Sequence, residues 1–128
     1  MDLAFFHIVV GWSSMLGGAI SGALIGLFFH KQDWAGGYGS FRRRLMRLGH
    51  IAFFGLGILN ILFALSLEVL ALPASQSAIA SVGFLVAVIV MPLCCFLTAW
   101  RDYFRHLFFI PVLAVVAGIV PMIFGGFI

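Results

Sequence analysis

The sequence predicts an all-α, polytopic membrane protein: a four-transmembrane-helix bundle with both termini outside (N-out/C-out) and its basic loops inside. Three observations predict it. Of the 128 residues, 64% are hydrophobic and only 9% charged, against roughly half and a quarter in a soluble globular domain. Mean hydropathy is +1.23. Four apolar stretches long enough to span a bilayer follow one another, separated by short polar linkers. All seven lysines and arginines fall in the first and third of those linkers. The chain is one membrane domain, and once four spans are subtracted no room is left for a separate soluble catalytic domain. Any chemistry therefore belongs to the bundle, its interfaces or a partner subunit.

The first span is expected at about 3–29, which at 1.5 Å per residue covers roughly 40 Å and crosses a hydrocarbon core of about 30 Å. Asp2 stands where a signal peptide carries a basic residue, so this stretch reads as a retained span. The linker from His30 to Ser40 holds Gly36, Gly37 and Gly39 for irregular backbone, with Trp34 and Tyr38 suited to the headgroup layer. Ser40 is placed to cap the second helix. That helix opens on Phe41-Arg42-Arg43-Arg44-Leu45-Met46-Arg47, its basic start lying along the membrane surface, and its span is expected at about 44–72. A turn at Pro73-Ala74-Ser75-Gln76-Ser77 leads to a third span at about 78–100, containing Pro92. A fourth, at about 104–127, contains Pro111 and Pro121. Interior prolines remove a helix hydrogen bond, and membrane helices tolerate them where neighbours satisfy the freed carbonyl. The linker between the last two spans, Trp100 to His106, is short enough to make a tight antiparallel hairpin.

Lys31, Arg42, Arg43, Arg44, Arg47, Arg101 and Arg105 place the first and third linkers in the cytoplasm by the positive-inside rule, in a bacterial inner membrane. The net charge of +3 thus reports orientation and gives no reason to expect nucleic acid. Cys94 and Cys95 are adjacent within an apolar run, a spacing that fits neither a disulfide framework nor a zinc knuckle.

Ser14, Gly18, Gly22 and Gly26 recur every four residues in the first span and form one stripe of small side chains, a glycine zipper-like face on which another helix can pack closely. Asn60, in the middle of the second span, must hydrogen-bond within the hydrocarbon and reads as helix-packing glue. Ionisable residues inside a membrane are costly, which makes the four histidines candidates for function. His30, His50 and His106 approach the basic face, and His7 lies near the other. Haem b needs two neutral imidazoles at matched depth on different helices. His50 and His106 meet that pattern, with Arg47, Arg101 and Arg105 near enough to pair with propionates. His30 is the further candidate for a metal ligand. His7 and Glu68 form a possible proton-relay pair near the outer face. In helix count and histidine placement the chain resembles four-helix membrane cytochromes, and that resemblance implies a haem held between helices.

No Ser/His/Asp arrangement, phosphate-cradling loop or dinucleotide fingerprint occurs in the context it requires, so an enzyme acting alone is not expected. The sequence leads first to an accessory or redox subunit of a membrane complex, binding haem b and exchanging electrons with a quinone or partner subunit. The alternatives are an oligomeric transporter or channel-like protein with Asn60, Glu68 and His7 along a polar path, and a purely structural membrane subunit. The lipid bilayer is the one partner that all three share.

Overall fold

A computed structural model describes residues 2–125, and among them every regular element is helical. The order is α1 (Leu3–Phe28), a short 3₁₀ turn at Trp34–Gly36, α2 (Phe41–Leu70), α3 (Ala74–Trp100), a 3₁₀ segment at Asp102–Leu107 and α4 (Phe109–Phe124). Four helical stretches are long and apolar enough to cross a membrane, the 3₁₀ segment and α4 together making the fourth. Helices satisfy their backbone polar groups internally, which is the condition for lying in hydrocarbon.

The element ends are governed by local chemistry. Ser40 caps α2 as expected: its Oγ accepts from the Arg43 N–H at 3.1 Å and donates to the Ala35 carbonyl at 2.7 Å. The cap starts the helix at Phe41, so the basic run is its first turns and the helix is longer than the 44–72 span. Ala71 ends α2 in the left-handed region (φ 45°), and Pro73, whose fixed φ suits a helix entrance, stands at the N-cap of α3. The Ala74–Ser77 segment, expected as a turn, is consequently the first turn of α3, with the Ser77 N–H donating to the Pro73 carbonyl.

The fourth span, expected from about 104, is not uniformly α-helical. Arg101 is extended (φ −141°), the next six residues wind as 3₁₀, and regular α-helix begins at Phe109. Pro111 therefore falls in the first turn of α4, where no intrahelical N–H bond is lost. Pro92 and Pro121 are the prolines inside helices. The expected end of the span at 127 lies outside the described residues.

Each helix packs antiparallel on the one before it. Half of the most apolar stretch of α3 is buried, against 22% in α1 and 17% in α4, which makes α3 the centre of the bundle. One core cluster joins Leu56, Ala87 and Val88 to Val10 of α1 and Ala114 of α4; a second joins Phe63, Ala80 and Phe84 to Leu3, Ile119 and Met122. All four helices thus contribute to a single core. The start of α1, the Pro73 turn and the end of α4 share one face of the protein, where a Cβ on Gly125 would touch Leu72.

Two backbone crossings set the helix spacing. At the first, a Cβ on Gly57 would sit 2.8 Å from the Gly11 carbonyl oxygen; at the second, a Cβ on Gly83 would sit 2.6 Å from the Ala114 carbonyl oxygen. Glycine is required at both because lipid supplies no hydrophobic drive between helices, and close van der Waals approach replaces it.

Candidate functional site

Most polar side chains inside the bundle fall into two groups, one near each end; Thr98 of α3 is also buried, with no hydrogen-bond partner for its hydroxyl. Toward the Pro73 end, His7 of α1, Asn60 of α2 and Ser81 of α3 meet in the core; His7 and Asn60 are fully buried and Ser81 nearly so. His7 Nδ1 lies 2.7 Å from Asn60 Oδ1, and His7 Nε2 lies 2.8 Å from Ser81 Oγ. The Asn60 amide nitrogen donates to the Leu56 carbonyl at 2.8 Å and reaches the Phe84 carbonyl at 3.4 Å. These donations orient the amide so that only its oxygen faces the histidine. Because Oδ1 can only accept, Nδ1 carries the imidazole proton, and Nε2 of the neutral ring accepts from the Ser81 hydroxyl. Phe63 closes the ring edge-on at 4.6 Å between centroids.

Asn60 thus bonds to side chain or backbone on α1, α2 and α3, and His7 takes partners on α2 and α3. The expected His7–Glu68 pair does not form: both imidazole nitrogens are taken by Asn60 and Ser81, and Glu68 is exposed on α2. Ser81 was not expected at the site. Its signal in the sequence is a lone hydroxyl in an apolar stretch of α3, visible as a partner only once α1 and α3 are brought together.

The second group lies toward the basic end. The small-residue face of α1 packs on α2 of the same chain. Ser14 Oγ donates to the Phe53 carbonyl at 2.7 Å, Gly18 accommodates Phe54 and Gly22 accommodates the His50 ring, against which any Cβ at Gly22 would collide. Gly26, the last member, has open space beside it. His50 Nδ1 bonds to the Gly18 carbonyl at 2.7 Å. A carbonyl only accepts, so Nδ1 is again the protonated nitrogen and Nε2 keeps its lone pair. Nε2 makes no hydrogen bond within the protein, yet it is not among the buried unpartnered atoms. The His50 ring borders a cleft of about 320 Å³ lined also by Arg47, Gly22, Ile25, Gly26, Phe29 and Ile51. A histidine whose far nitrogen is anchored to a backbone carbonyl has the tautomer and orientation typical of a ligating imidazole.

His106 does not share that cleft. It is exposed on the Asp102–Leu107 segment, beside Tyr103 with ring centroids 6.1 Å apart. His30 is exposed beyond the end of α1, and among the described residues no three His, Cys, Asp or Glu side chains cluster to hold a metal. Arg101 lies over the Trp100 ring at 5.0 Å and Arg105 is exposed, so of the three expected arginines Arg47 alone lines the His50 cleft. The separation has a local cause: α2 turns His50 toward α1, whereas the segment bearing His106 packs against α3 and α4.

Arg43, expected only as part of the basic run, is fully buried. Its Nη2 donates to the Phe29 carbonyl at 2.8 Å, where α1 ends, and its guanidinium lies 4.8 Å from the Phe29 ring, 4.6 Å from Tyr38 and 5.5 Å from Trp34. The first linker is folded around this cation, with Trp34 stacked on Phe28 and Tyr38 edge-on to Phe29. Cation–π attraction strengthens when the cation is desolvated. The aromatics of the linker are thus explained by Arg43 as well as by the headgroup layer.

Fold and site together define a small multi-pass membrane protein with a hydrogen-bonded His7–Asn60–Ser81 group in its core and a cleft lined by His50 between α1 and α2, while Arg43 Nε and Nη1 are buried without hydrogen-bond partners. No family model, curated protein or solved structure matches the chain.

The buried network makes a direct prediction for stability. Replacing Asn60 by Ala leaves the His7 N–H unpartnered, so Asn60→Ala should destabilise the protein by about 1–3 kcal/mol. Glu68→Gln, on the exposed side of the same helix, should change stability by no more than about 0.5 kcal/mol. Reversible unfolding in mixed detergent measures both. Equal losses in the two variants would remove the network from its structural role.

Proposed function

We propose that this chain is a small subunit of a membrane redox assembly and that the cleft beside His50 holds a haem b through Nε2 of that histidine. One observation carries the reading: His50 lines the cleft and is anchored through Nδ1 to Gly18, which leaves Nε2 without a partner in the protein. The surroundings fit. Gly26 leaves open space in the cleft beside the His50 ring that covers Gly22, and Ile25, Ile51 and Phe29 are apolar. Arg47, one turn before His50, is placed to pair with a propionate toward the membrane surface. His50 follows the start of α2 by about 14 Å of helix, which puts the propionate side near the headgroups. His106 of the same chain lies elsewhere, so a second ligand would have to come from an adjoining subunit. Bound there, a haem supplies one-electron transfer to a quinone or partner; the protein supplies the ligand, its tautomer and a counter-charge.

The reading as a transporter or channel draws less support, because His7 and Asn60 saturate each other away from water and Glu68 stands apart from them. A purely structural role is the outcome if the cleft takes no cofactor. The orientation proposed with this function puts the linkers bearing Arg42 to Arg47 and Arg101 to Arg105 in the cytoplasm of a bacterium, following the charge rule.

Expression with ample haem, followed by optical spectroscopy of the purified chain with its co-purifying partners, tests the cofactor. A reduced-minus-oxidised b-type signal is expected, lost in His50→Ala and retained in His106→Ala. No signal in the unmutated assembly, or a signal indifferent to His50→Ala, overturns the proposal. For the orientation, a cysteine placed at Ser75 in a variant with Cys94 and Cys95 replaced should react with an impermeant thiol reagent from outside intact cells. One placed at Gly39 should react only after the cells are opened, and the reverse pattern would invert the topology.

A further inference from the structure

A second concavity lies away from His50, on the side of the bundle where α1 and α3 diverge over α2. Within the apolar region it is a groove of about 510 Å³, with Val9 and Ser13 on one wall, Phe53 at its base and Ile89, Leu93 and Phe96 on the other wall. Phe96 also borders the next hollow toward the membrane surface, of about 350 Å³, where Trp34, Arg42, Ala99 and Trp100 take over. Ile89, Leu93, Phe96 and Trp100 are spaced by three or four residues, so they line one continuous stripe of α3. The stripe is about 16 Å long, reaching from the apolar interior to the interfacial aromatics.

From this continuity and the change of chemistry along it, we infer a binding site for an anionic glycerophospholipid. The acyl chain lies along Ile89, Leu93 and Phe96, and the phosphate meets Arg42. Charge complementarity selects the headgroup: Arg42 is exposed and lines the hollow, and Arg101 sits over the ring of Trp100, another lining residue, at 5.0 Å. The two tryptophans give the glycerol region an amphipathic border, where such rings favour the interface. Arg44 is also exposed, but two residues along a helix is about 200° of rotation, so it points away from the groove. The charge of Arg42 is thereby separable from the general basicity of the linker.

Native mass spectrometry of the full chain, delipidated in detergent and titrated with dioleoyl-phosphatidylglycerol or dioleoyl-phosphatidylcholine, tests the site. One phosphatidylglycerol should be retained in preference to phosphatidylcholine. Arg42→Gln should weaken it roughly five-fold, the effect of one interfacial charge, and Ile89→Trp, which fills the groove, should weaken both lipids. Arg44→Gln serves as the folded, equally charged control and should leave affinity within about two-fold of the unmutated chain, as an exposed charge off the site. Equal binding of the two lipids, equal losses in Arg42→Gln and Arg44→Gln, or binding unaffected by Ile89→Trp would each overturn the site. Dimers that Ile89→Trp disperses and Arg42→Gln does not would assign the groove to a second copy of the chain instead.

Discussion

The His7–Asn60–Ser81 network is the constraint around which the bundle is arranged. In hydrocarbon an unsatisfied polar group costs several kcal/mol, so three such side chains on three different helices are tolerated only while they meet. Their geometry leaves little freedom. The Asn60 amide is oriented by the Leu56 and Phe84 carbonyls, its oxygen sets the proton on His7 Nδ1, and the remaining nitrogen accepts from Ser81. A rotation or slide of α1 by one residue would strand all of them. Apolar contacts outside the two glycine crossings discriminate less between registers.

The remaining contacts follow from that register. With His7 placed, Gly11 comes against Gly57 one turn later, and beyond it the small face of α1 receives Phe53, Phe54 and His50 in order. At the far end, Arg43 ties the start of α2 to the last carbonyls of α1 and gathers Phe29, Trp34 and Tyr38 around its charge. The α1–α2 pair is therefore held at its centre by glycine contact and toward its ends by polar groups of different kinds. The histidine cleft is a product of this pairing: Gly22 admits the His50 ring, Gly18 takes its proton-bearing nitrogen, and Gly26 leaves the space into which the cleft opens.

Much of the fold was legible in the sequence because the bilayer reduces the problem to a few variables. Length and hydropathy predict the four spans, and Ser40 marks a helix start by capping; Pro73, read as part of a turn, proved to be the N-cap of α3. Boundaries were less legible where tertiary or 3₁₀ structure competes, as in the Asp102–Leu107 segment. At the level of sites, Asn60 had to find a partner in the membrane, and it did. Which partner was not legible: periodicity places residues on a face of a helix but does not say which faces meet. His50 and His106 are matched in expected depth yet turned to different neighbours, and the same limitation hid Ser81. Arg43 illustrates the opposite error, since its neighbours in the basic run suggested a solvated charge, whereas the upstream aromatics Phe29, Trp34 and Tyr38 surround it.

The functional reading separates two histidines that composition alone treats alike. His7 has both nitrogens occupied and serves the register, whereas His50 has one anchored and one available, and serves the cleft. The account stands or falls on the first of these assignments, since α1 must be held in this register for Gly18 and Gly22 to present His50. Nitrogen-15 NMR of the labelled full chain in nanodiscs reads the His7 ring directly. The account predicts a neutral Nδ1–H tautomer, with that proton hydrogen-bonded and slow to exchange with water. An Nε2–H tautomer, or ring protons in rapid exchange with solvent, would contradict it.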